Sequence, residues 1–238
     1  MPLLPPLVRL VDDDEALLRA HSFVLNVAGM EVRTYSSGEE FLQFDDFARP
    51  GCVVLDVRMT GMSGLECQEV LRKRGIDLPV LFLTGHGDID MALLAVKRGA
   101  ADFLQKPVEA ETLAEACRTL LEWHIEERTK KAELESLRRR VASLTPRELE
   151  VALQAAQGIP NKPAAAALGI SEQAVRIHRM SIYRKLGIHS PVEILGKLRA
   201  AGLIAGESES RAFVTVRMLS PESAPDKDAG VGEESNSR

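Results

Sequence analysis

The sequence predicts an α/β domain with a five-stranded, doubly wound parallel sheet, followed by a small all-α domain. Two observations predict the sheet: five short apolar runs alternate with helical segments over residues 1–110, and each run ends in a polar or turn-forming residue. A third observation predicts the helical domain, because residues 142–205 contain four short segments bounded by helix-start and helix-stop signals.

Five strands and four helices are predicted in the first domain. The strands fall at residues 7–11, 31–35, 52–56, 79–84 and 101–105, and the helices at residues 16–28, 37–44, 63–74 and 88–98. Right-handed crossovers place the C-terminal ends of all parallel strands along one edge of the sheet. Ligands of open α/β sheets bind at that edge, so the residues that follow the strands form the candidate site.

Charge and cysteine content narrow the class of protein. Residues 1–110 carry 11 basic and 17 acidic side chains, whereas residues 142–205 carry 8 basic and 4 acidic, which favours nucleic acid as the partner of the second domain. Three scattered cysteines are too few for a disulfide framework, and this fits a reducing cytoplasm. The start lacks a signal-peptide layout and no apolar run reaches membrane-spanning length, so we expect a soluble, cytoplasmic protein without a membrane partner.

The predicted edge of the sheet collects side chains that suit phosphoryl chemistry. They are Asp12, Asp13, Asp56, Thr84 and Lys106. Three converging carboxylates repel one another unless a cation joins them, and their hard oxygen ligands suit Mg²⁺. An aspartate can itself accept a phosphoryl group, while lysine and threonine donate to the anion. Taken singly, residues 12–15 could be an acidic helix start and residues 106–107 a strand exit, but their coincidence at one edge favours a site.

Several segments of this domain resemble the receiver domain of two-component response regulators, in particular the FixJ subfamily. They are Asp12-Asp13, Leu55-Asp56-Val57-Arg58-Met59, Met62-Ser63-Gly64, Leu83-Thr84-Gly85-His86-Gly87 and Asp102-Phe103-Leu104-Gln105-Lys106-Pro107. Thr84 lies 28 residues after Asp56, and Lys106 lies 22 residues further on, as the family spaces them. The resemblance implies a flavodoxin-like receiver domain over residues 1–110.

The resemblance also implies a phosphoacceptor and a metal site. Asp56 would accept a phosphoryl group from a sensor histidine kinase. Asp13, Asp56 and the backbone carbonyl of Arg58 would bind Mg²⁺, with Asp12 assisting through water. Thr60 departs from the pattern, because the family usually has proline there, and this bears on the stiffness of the loop after Asp56.

The resemblance also implies a switch pair in the last two strands. Thr84 would turn toward the phosphate while Phe103 rotates inward behind it. Lys106 would contact a phosphate oxygen, and its peptide bond to Pro107 would be cis. Beyond catalysing its own phosphorylation and dephosphorylation, the receiver would not be an enzyme.

A seven-residue repeat runs through residues 113–144 and covers a linker helix predicted at residues 111–141. Its apolar positions are Leu113, Ala116, Leu120, Trp123, Leu134, Leu137, Val141 and Leu144. Glu127 and Lys130 interrupt the seam in its middle. Two interpretations stay open: a coiled coil that pairs two chains, and a solvated helix that docks on its own domains.

Helix-start signals organise residues 142–205. Thr145-Pro146-Arg147-Glu148 and Ser190-Pro191-Val192-Glu193 both read as capping boxes with proline at the first helical position. Between them, Asn161 is predicted to cap a short helix and Ser171 the next one, which ends at Gly187. The tight turn between these two helices is typical of helix-turn-helix.

The helix predicted over residues 172–186 has a core stripe and an opposite, basic arc. Val175, Ile182 and Leu186 form the stripe. The arc carries Gln173, Arg176, Ile177, Met180 and Arg184, with Arg179 and Lys185 on its flanks. In a DNA major groove, apolar side chains can contact thymine methyl groups while arginine reads guanine or phosphate. The alternative is a basic amphipathic helix packed within a bundle.

The second domain resembles the LuxR-type DNA-binding domain. The segments that carry the resemblance are Leu144-Thr145-Pro146-Arg147-Glu148, Gly158-Ile159-Pro160-Asn161-Lys162, Leu168-Gly169-Ile170-Ser171, Val175-Arg176-Ile177-His178 and Lys185-Leu186-Gly187. The resemblance implies that the 172–186 helix enters the major groove of double-stranded DNA, that Lys162 contacts a backbone phosphate and that the 191–201 helix supports dimerisation. Pro163, Ala164 and Ala174 depart from the family pattern.

Together the two resemblances predict a FixJ/NarL-type transcriptional regulator that pairs as a homodimer on a two-fold DNA site when phosphorylated. RNA polymerase is a further candidate partner. The alternatives are a receiver-controlled regulator that binds a protein, and a phosphorelay intermediate. Residues 206–238 are rich in Ser, Glu, Gly and Pro and are expected to be a disordered tail.

Overall fold

The computed structural model of the chain describes residues 5–85 and 99–204. The chain divides between residues 133 and 134 into two compact units. The first contains a five-stranded parallel sheet with flanking helices and the second is helical, so the predicted fold class is confirmed. The helix predicted over residues 88–98 and the predicted tail lie outside the described residues.

The first unit alternates strands and helices in the predicted order. Its elements are β1 Leu7–Val11, α1 Glu15–Val27, β2 Glu31–Tyr35, α2 Gly38–Phe44, β3 Gly51–Asp56, α3 Gly64–Lys73, β4 Val80–Thr84 and β5 Asp102–Gln105. The strand order is β2-β1-β3-β4-β5, and every neighbouring pair is parallel. Every residue of β1, β3 and β4 is buried, which is expected of central strands covered on both faces.

Apolar side chains cover both faces of the sheet. On one face Phe82 packs with Phe41 of α2 and Leu71 of α3. On the other, Leu81 packs with Leu25 of α1 and with the next helix, α4, which spans Ala110–Ala142. Burial of each such side chain contributes about 1.5–3 kcal/mol. The two layers therefore fix the strands whose C-terminal ends carry the candidate site.

Arg9 is a fully buried cation within β1. Its Nε donates to Oδ2 of Asp45 at 2.6 Å, and its Nη2 donates to the carbonyl oxygens of Asp46 and Arg49 at 2.9 and 3.1 Å. Asp45 also accepts a hydrogen bond from the hydroxyl of Tyr35 at 2.5 Å. Breaking a buried ion pair of this kind costs about 3–5 kcal/mol, so Arg9 fastens the loop between α2 and β3 to the sheet.

Helix α4 contributes to the core of each unit by different residues. Leu113 and Leu121 are buried in the first unit, and Leu137 and Val141 are buried in the second. Three of these residues are apolar positions of the seven-residue repeat, and their own units bury them. Trp123, another such position, is half exposed. Pairing of two chains through this seam stays a prediction.

Asp77, in the loop before β4, binds three successive turns of α4. It accepts hydrogen bonds from Lys131 Nζ at 2.9 Å and Arg128 Nη2 at 3.1 Å, and it lies 3.3 Å from His124 Nε2. Arg128 also donates to the carbonyl oxygens of residues 47 and 48. Burial alone would raise the pKa of Asp77, but Lys131 and Arg128 hold it well below its ordinary value. The helix is thus anchored beyond its apolar contacts.

The described part of the second unit is a helical domain whose helices pack around an apolar cluster. Its helices are α5 Pro146–Ala156, α6 Asn161–Leu168, α7 Glu172–Leu186 and α8 Pro191–Ala200. Val175, Ile182 and Leu186 are fully buried, so the predicted core stripe of α7 is confirmed. Gly169 and Gly187 end α6 and α7 with φ near +64°, a left-handed conformation that favours glycine.

Two predicted helix caps form and two do not. Thr145 and Glu148 make the reciprocal capping box of α5, and Ser171 accepts a hydrogen bond from the backbone N–H of Ala174. The cap predicted at Asn161 is wrong, because Pro160 takes the extended N-cap conformation and Asn161 is the first helical residue. Pro163 then falls in the first turn, where the missing N–H is not needed.

The capping box predicted at Ser190 is also wrong. In the part of the chain that the structure describes, the Ser190 side chain makes no cap hydrogen bond. Oε1 of Glu193 accepts instead from the backbone N–H of His189, at 3.2 Å. Helix α8 therefore begins at Pro191 without a side-chain cap from Ser190.

Within residues 5–85 and 99–204, no helix is long and apolar enough to cross a bilayer.

Candidate phosphoryl-transfer site and nucleic-acid interface

The C-terminal ends of four strands bring the predicted site residues together. Asp12 and Asp13 follow β1, Asp56 ends β3, Thr84 ends β4 and Lys106 follows β5. One carboxylate oxygen from each aspartate lies within 4.8 Å of the others. The edge of the sheet thus concentrates three acidic groups and one ammonium in a small volume.

Lys106 bridges two of the three carboxylates. Its Nζ lies 2.7 Å from Oδ2 of Asp12 and 2.7 Å from Oδ1 of Asp56. Burial raises the pKa of Asp56 above its ordinary value, against the opposing effect of Lys106. Burial alone would lower the pKa of Lys106, but the hydrogen bonds to Asp12 and Asp56 outweigh it and raise that pKa. The lysine is therefore held charged beside the Asp56 carboxylate.

The backbone orients the buried carboxylates. Oδ2 of Asp56 accepts a hydrogen bond from the N–H of Arg58 at 3.1 Å, and Oδ1 of Asp12 accepts from the N–H of Asp14 at 2.9 Å. Gly64, the first residue of α3, lies directly against the Asp56 backbone, because a Cβ there would be 2.1 Å from the Asp56 carbonyl oxygen. The Arg58 N–H thus holds the side chain of Asp56, and Gly64 packs against its backbone.

Asp13 is exposed and is held by a residue that sequence reasoning did not place in the site. Its Oδ2 accepts hydrogen bonds from the backbone N–H and from the hydroxyl of Thr60, both at 2.7 Å. The hydroxyl of Thr60, followed by its N–H, lowers the pKa of Asp13 below its ordinary value. The sequence shows that Thr60 replaces the usual proline, but it does not show that Thr60 binds Asp13, which lies 47 residues earlier in the chain.

The donor set fits a magnesium ion. Asp12, Asp13 and Asp56 offer hard carboxylate oxygens within one small volume, and the exposed rim at Asp13 leaves room for water ligands. Mg²⁺ prefers such oxygens together with several retained waters.

Thr84 and Phe103 occupy the places implied for a switch pair. Thr84 is buried, and its hydroxyl donates to the carbonyl oxygen of Leu104 at 3.4 Å. Phe103 on β5 has 37% of its surface exposed. The Thr84 hydroxyl therefore bonds to the neighbouring strand, while Phe103 is partly exposed. The Lys106–Pro107 peptide bond is cis, as the resemblance implied.

Helix α7 of the second unit presents the predicted arc to solvent. Its exposed residues include Gln173, Arg176, Ile177, Met180 and Arg184. Ile177 and Met180 expose 57% and 73% of their surfaces, a high value for apolar side chains opposite a buried stripe. Arg176 makes an exposed ion pair with Glu172, which contributes about 0.3–0.5 kcal/mol and leaves the guanidinium accessible. Lys162 on α6 is also exposed.

Lys185, one of the two flanking cations, binds its own domain. Its Nζ donates to Oε2 of Glu148 at 2.6 Å and to the Ser143 carbonyl at 2.9 Å. Ser181 on the same helix donates to Oε1 of Glu148 at 2.6 Å. Burial alone would raise the pKa of Glu148, but these partners lower it to about 2. Glu148 therefore joins α5 to α7.

Arg179, the other flanking cation, donates through Nη2 to the Ile159 carbonyl oxygen at 2.5 Å. This bond ties α7 to the loop that precedes α6. Both flanking side chains thus orient the helix from within the domain, and their contact with DNA stays a prediction.

Comparisons with known proteins match both units. A family model described as a response regulator receiver domain matches residues 8–118, and one described as bacterial regulatory proteins of the luxR family matches residues 142–197. The chain is 38% identical over 188 residues to the response regulator protein TmoT of Ectopseudomonas mendocina, which covers 79% of this chain and 86% of that protein.

Two further relatives extend the comparison. The transcriptional regulatory protein FixJ of Rhizobium meliloti is 34% identical over 195 residues, which cover 82% of this chain and 96% of that protein. The solved structure of the response regulator StyR has a TM-score of 0.77 and 37% identity, covering 82% of this chain and 99% of that one.

Proposed function

Because this chain belongs to the two-component response regulators that join a receiver to a LuxR-type DNA-binding domain, we propose that Asp56 is its phosphoacceptor. The phosphoryl group would come from a sensor histidine kinase and would control binding of double-stranded DNA by residues 142–205. The convergence of Asp12, Asp56 and Lys106 at the end of β3 carries this proposal.

The chemistry follows from the groups around Asp56. An oxygen of the Asp56 carboxylate attacks the phosphorus of a phosphohistidine, a P–O bond forms, the P–N bond breaks and its electron pair returns to the imidazole nitrogen. Lys106 already donates to Asp56 and can transfer that donation to a phosphoryl oxygen. Asp12, Asp13, Asp56 and the backbone carbonyl of Arg58 would hold Mg²⁺, which neutralises charge on the transferring group when bound.

The product is a mixed anhydride that water can hydrolyse, and this resets Asp56. While it persists, the new charge beside Thr84 favours rotation of the threonine hydroxyl away from Leu104 and toward the phosphate. Phe103, which is partly exposed, would occupy the volume behind it. The receiver surface would then differ between the two states, and we propose that this favours a homodimer.

DNA binding would use the exposed arc of α7 together with Lys162. Arg176 and Arg184 would contact bases or phosphates while Ile177 and Met180 meet thymine methyl groups. One such module neutralises few phosphates, so pairing on a two-fold site would roughly double the contacts and steepen the salt dependence.

Sedimentation of the full chain with and without beryllofluoride, which mimics the phosphoryl group, tests the proposed pairing. A monomer in both conditions would contradict it.

Phosphorylation at Asp56 is tested with the full chain, a small acyl-phosphate donor and Mg²⁺. We expect intact-mass spectrometry to show one added phosphoryl group on the wild type and on Asp46→Asn, an exposed loop aspartate, but none on Asp56→Asn. Modification of Asp56→Asn to the wild-type extent would refute the proposal.

A further inference from the structure

Thr60 lies four residues after Asp56 and makes two hydrogen bonds across the mouth of the site. Its N–H and its hydroxyl both donate to Oδ2 of Asp13 at 2.7 Å. Its side chain is exposed, and it belongs to none of the apolar clusters among the described residues. These two bonds are therefore the contacts through which a substitution at this position would act on the site.

A proline, the usual residue at this place in the family pattern, could form neither bond. Proline lacks the backbone N–H, and its ring carries no hydroxyl. The site of this chain thus holds Asp13 by means that the usual pattern does not provide.

We propose that Thr60 is a positioning residue for the magnesium ion, because it fixes the carboxylate of Asp13 before the cation arrives. A carboxylate has two oxygens, so the binding of Oδ2 by two donors sets the direction in which Oδ1 is presented. This inference rests on the proposed function, since it assumes that the carboxylate cluster binds Mg²⁺.

The direction of the effect follows from the surroundings of Asp13. Asp12 and Asp56 are bound by Lys106, whereas Asp13 is exposed and is repelled by both. Without Thr60 the Asp13 carboxylate would rotate into solvent. Binding of the cation would then have to restrict the Asp13 side chain to one conformation, which lowers the affinity. Outer-shell partners that orient a metal ligand typically change affinity by about 10–100-fold. Thr60 should therefore strengthen cation binding.

The test is calorimetric titration of Mg²⁺ into the unphosphorylated full chain, repeated with Mn²⁺ detected by its paramagnetic resonance signal. Thr60→Pro removes both donors and is expected to weaken affinity by about 10-fold. Thr60→Val keeps the shape and the N–H but removes the hydroxyl, and is expected to weaken affinity by about 3-fold, a smaller part of the same range. Thr60→Ser keeps both donors and should bind as the wild type does.

A matched control is Thr119→Ala, since the exposed hydroxyl of Thr119 donates within α4 to Glu115, away from the site. Metal-free melting curves identify any variant that disturbs the fold. If the proline variant is unfolded, the Mg²⁺ affinity of Thr60→Val relative to wild type is the test of the inference. Equal affinity of wild type and Thr60→Val would overturn the inference, as would tighter binding by Thr60→Val. A wild type that binds neither cation would instead overturn the metal site of the proposed function.

Discussion

In the receiver site, Lys106 is bound to Asp12 and Asp56, whereas on the exposed face of α7 the guanidinium of Arg184 and the side chain of Met180 point into solvent. The first region pairs its one cation with two of its own carboxylates and keeps Asp56 buried at the edge of the sheet. The second presents cations and apolar groups that a partner has to satisfy. The difference is the one expected if the first region takes a small group and the second takes a macromolecule.

The flanks of α7 show that a cation near an exposed face can be bound within its own domain, as Lys106 is. Arg179 and Lys185 are cations of the kind that contacts DNA, yet Arg179 donates through Nη2 to Ile159 and Lys185 donates to Ser143 and Glu148. These bonds hold α7 in place within its domain, and contact of the two side chains with DNA stays a prediction.

The largest effect is expected when the internal compensation of the receiver is removed. In Lys106→Ala the carboxylates of Asp12 and Asp56 lose their shared cation, and the transferring group loses a donor. We expect the rate of phosphorylation to fall by about 10²-fold. Single-turnover phosphorylation with a small acyl-phosphate donor measures it, with the surface variant Lys130→Ala as control. An unchanged rate would remove Lys106 from the chemistry.

The second prediction separates recognition from positioning on α7. Arg176→Ala and Arg184→Ala should each weaken DNA binding by about 1–3 kcal/mol and reduce the salt dependence, without changing the melting temperature. Arg179→Ala should lower the stability of the domain as well as its affinity. Titration of labelled DNA at several salt concentrations, alongside thermal melting, distinguishes the two classes. Equal affinity for Arg176→Ala and wild type would favour a regulator that binds a protein.

Glu148 and Glu193 share one sequence signature and provide a matched pair for stability. Glu148→Gln breaks a buried pair with Lys185 and should destabilise α5 and α7 by about 2 kcal/mol near neutral pH. Glu193→Gln, on the exposed first turn of α8, should cost less than about 0.5 kcal/mol. Hydrogen exchange of peptides from residues 146–200 measures both, and similar losses in the two variants would refute the distinction.

The Glu148 effect should depend on pH in a defined direction. The folded-state pKa of about 2 lies below the ordinary value of 4.5, so the stabilisation is present above pH 4.5 and is lost as the pH falls toward 2. The difference between wild type and Glu148→Gln should therefore vanish across that window. A stability difference that stays constant between about pH 6, above the window, and about pH 3, within it, would contradict this origin.

A smaller effect than that of Glu148→Gln is expected at the anchor of α4. Asp77→Asn weakens three partly exposed contacts and should destabilise the local structure around residues 122–133 by about 1 kcal/mol. Faster hydrogen exchange in this segment, with unchanged exchange in β1 and β3, is the expected observation. Glu126→Gln, an exposed residue on the same helix, is the control and should leave exchange unchanged.

The sequence predicted features that depend on local periodicity and on general rules of topology. Parallel strands end at one edge, so apolar runs that end in Asp56, Thr84 and Lys106 were sufficient to bring these residues together. The exposed arc of α7 followed in the same way from helical periodicity, because its residues alternate with the buried stripe of Val175 and Ile182.

Pairings between distant side chains were not predictable in this way. A buried arginine inside β1 depends on Asp45, and the bonds of Thr60 depend on Asp13, and in each case the partner is set by tertiary structure. The two capping-box signatures show the same limit, because Glu148 has Ser181 and Lys185 beside it while Glu193 has His189. The two segments have the same pattern of residue types, and the surrounding side chains determine which of them forms the capping box.

The loop between α2 and β3 is held largely through its backbone, and this bears on how its sequence can drift. Arg9 and Arg128 bind carbonyl oxygens of residues 46–49, and every amino acid supplies a carbonyl. Exchange of Ala48 preserves those bonds, whereas Asp45 is bound through its own carboxylate and has no substitute but another acid. Position 48 can therefore change in sequence while the shape of the loop is kept.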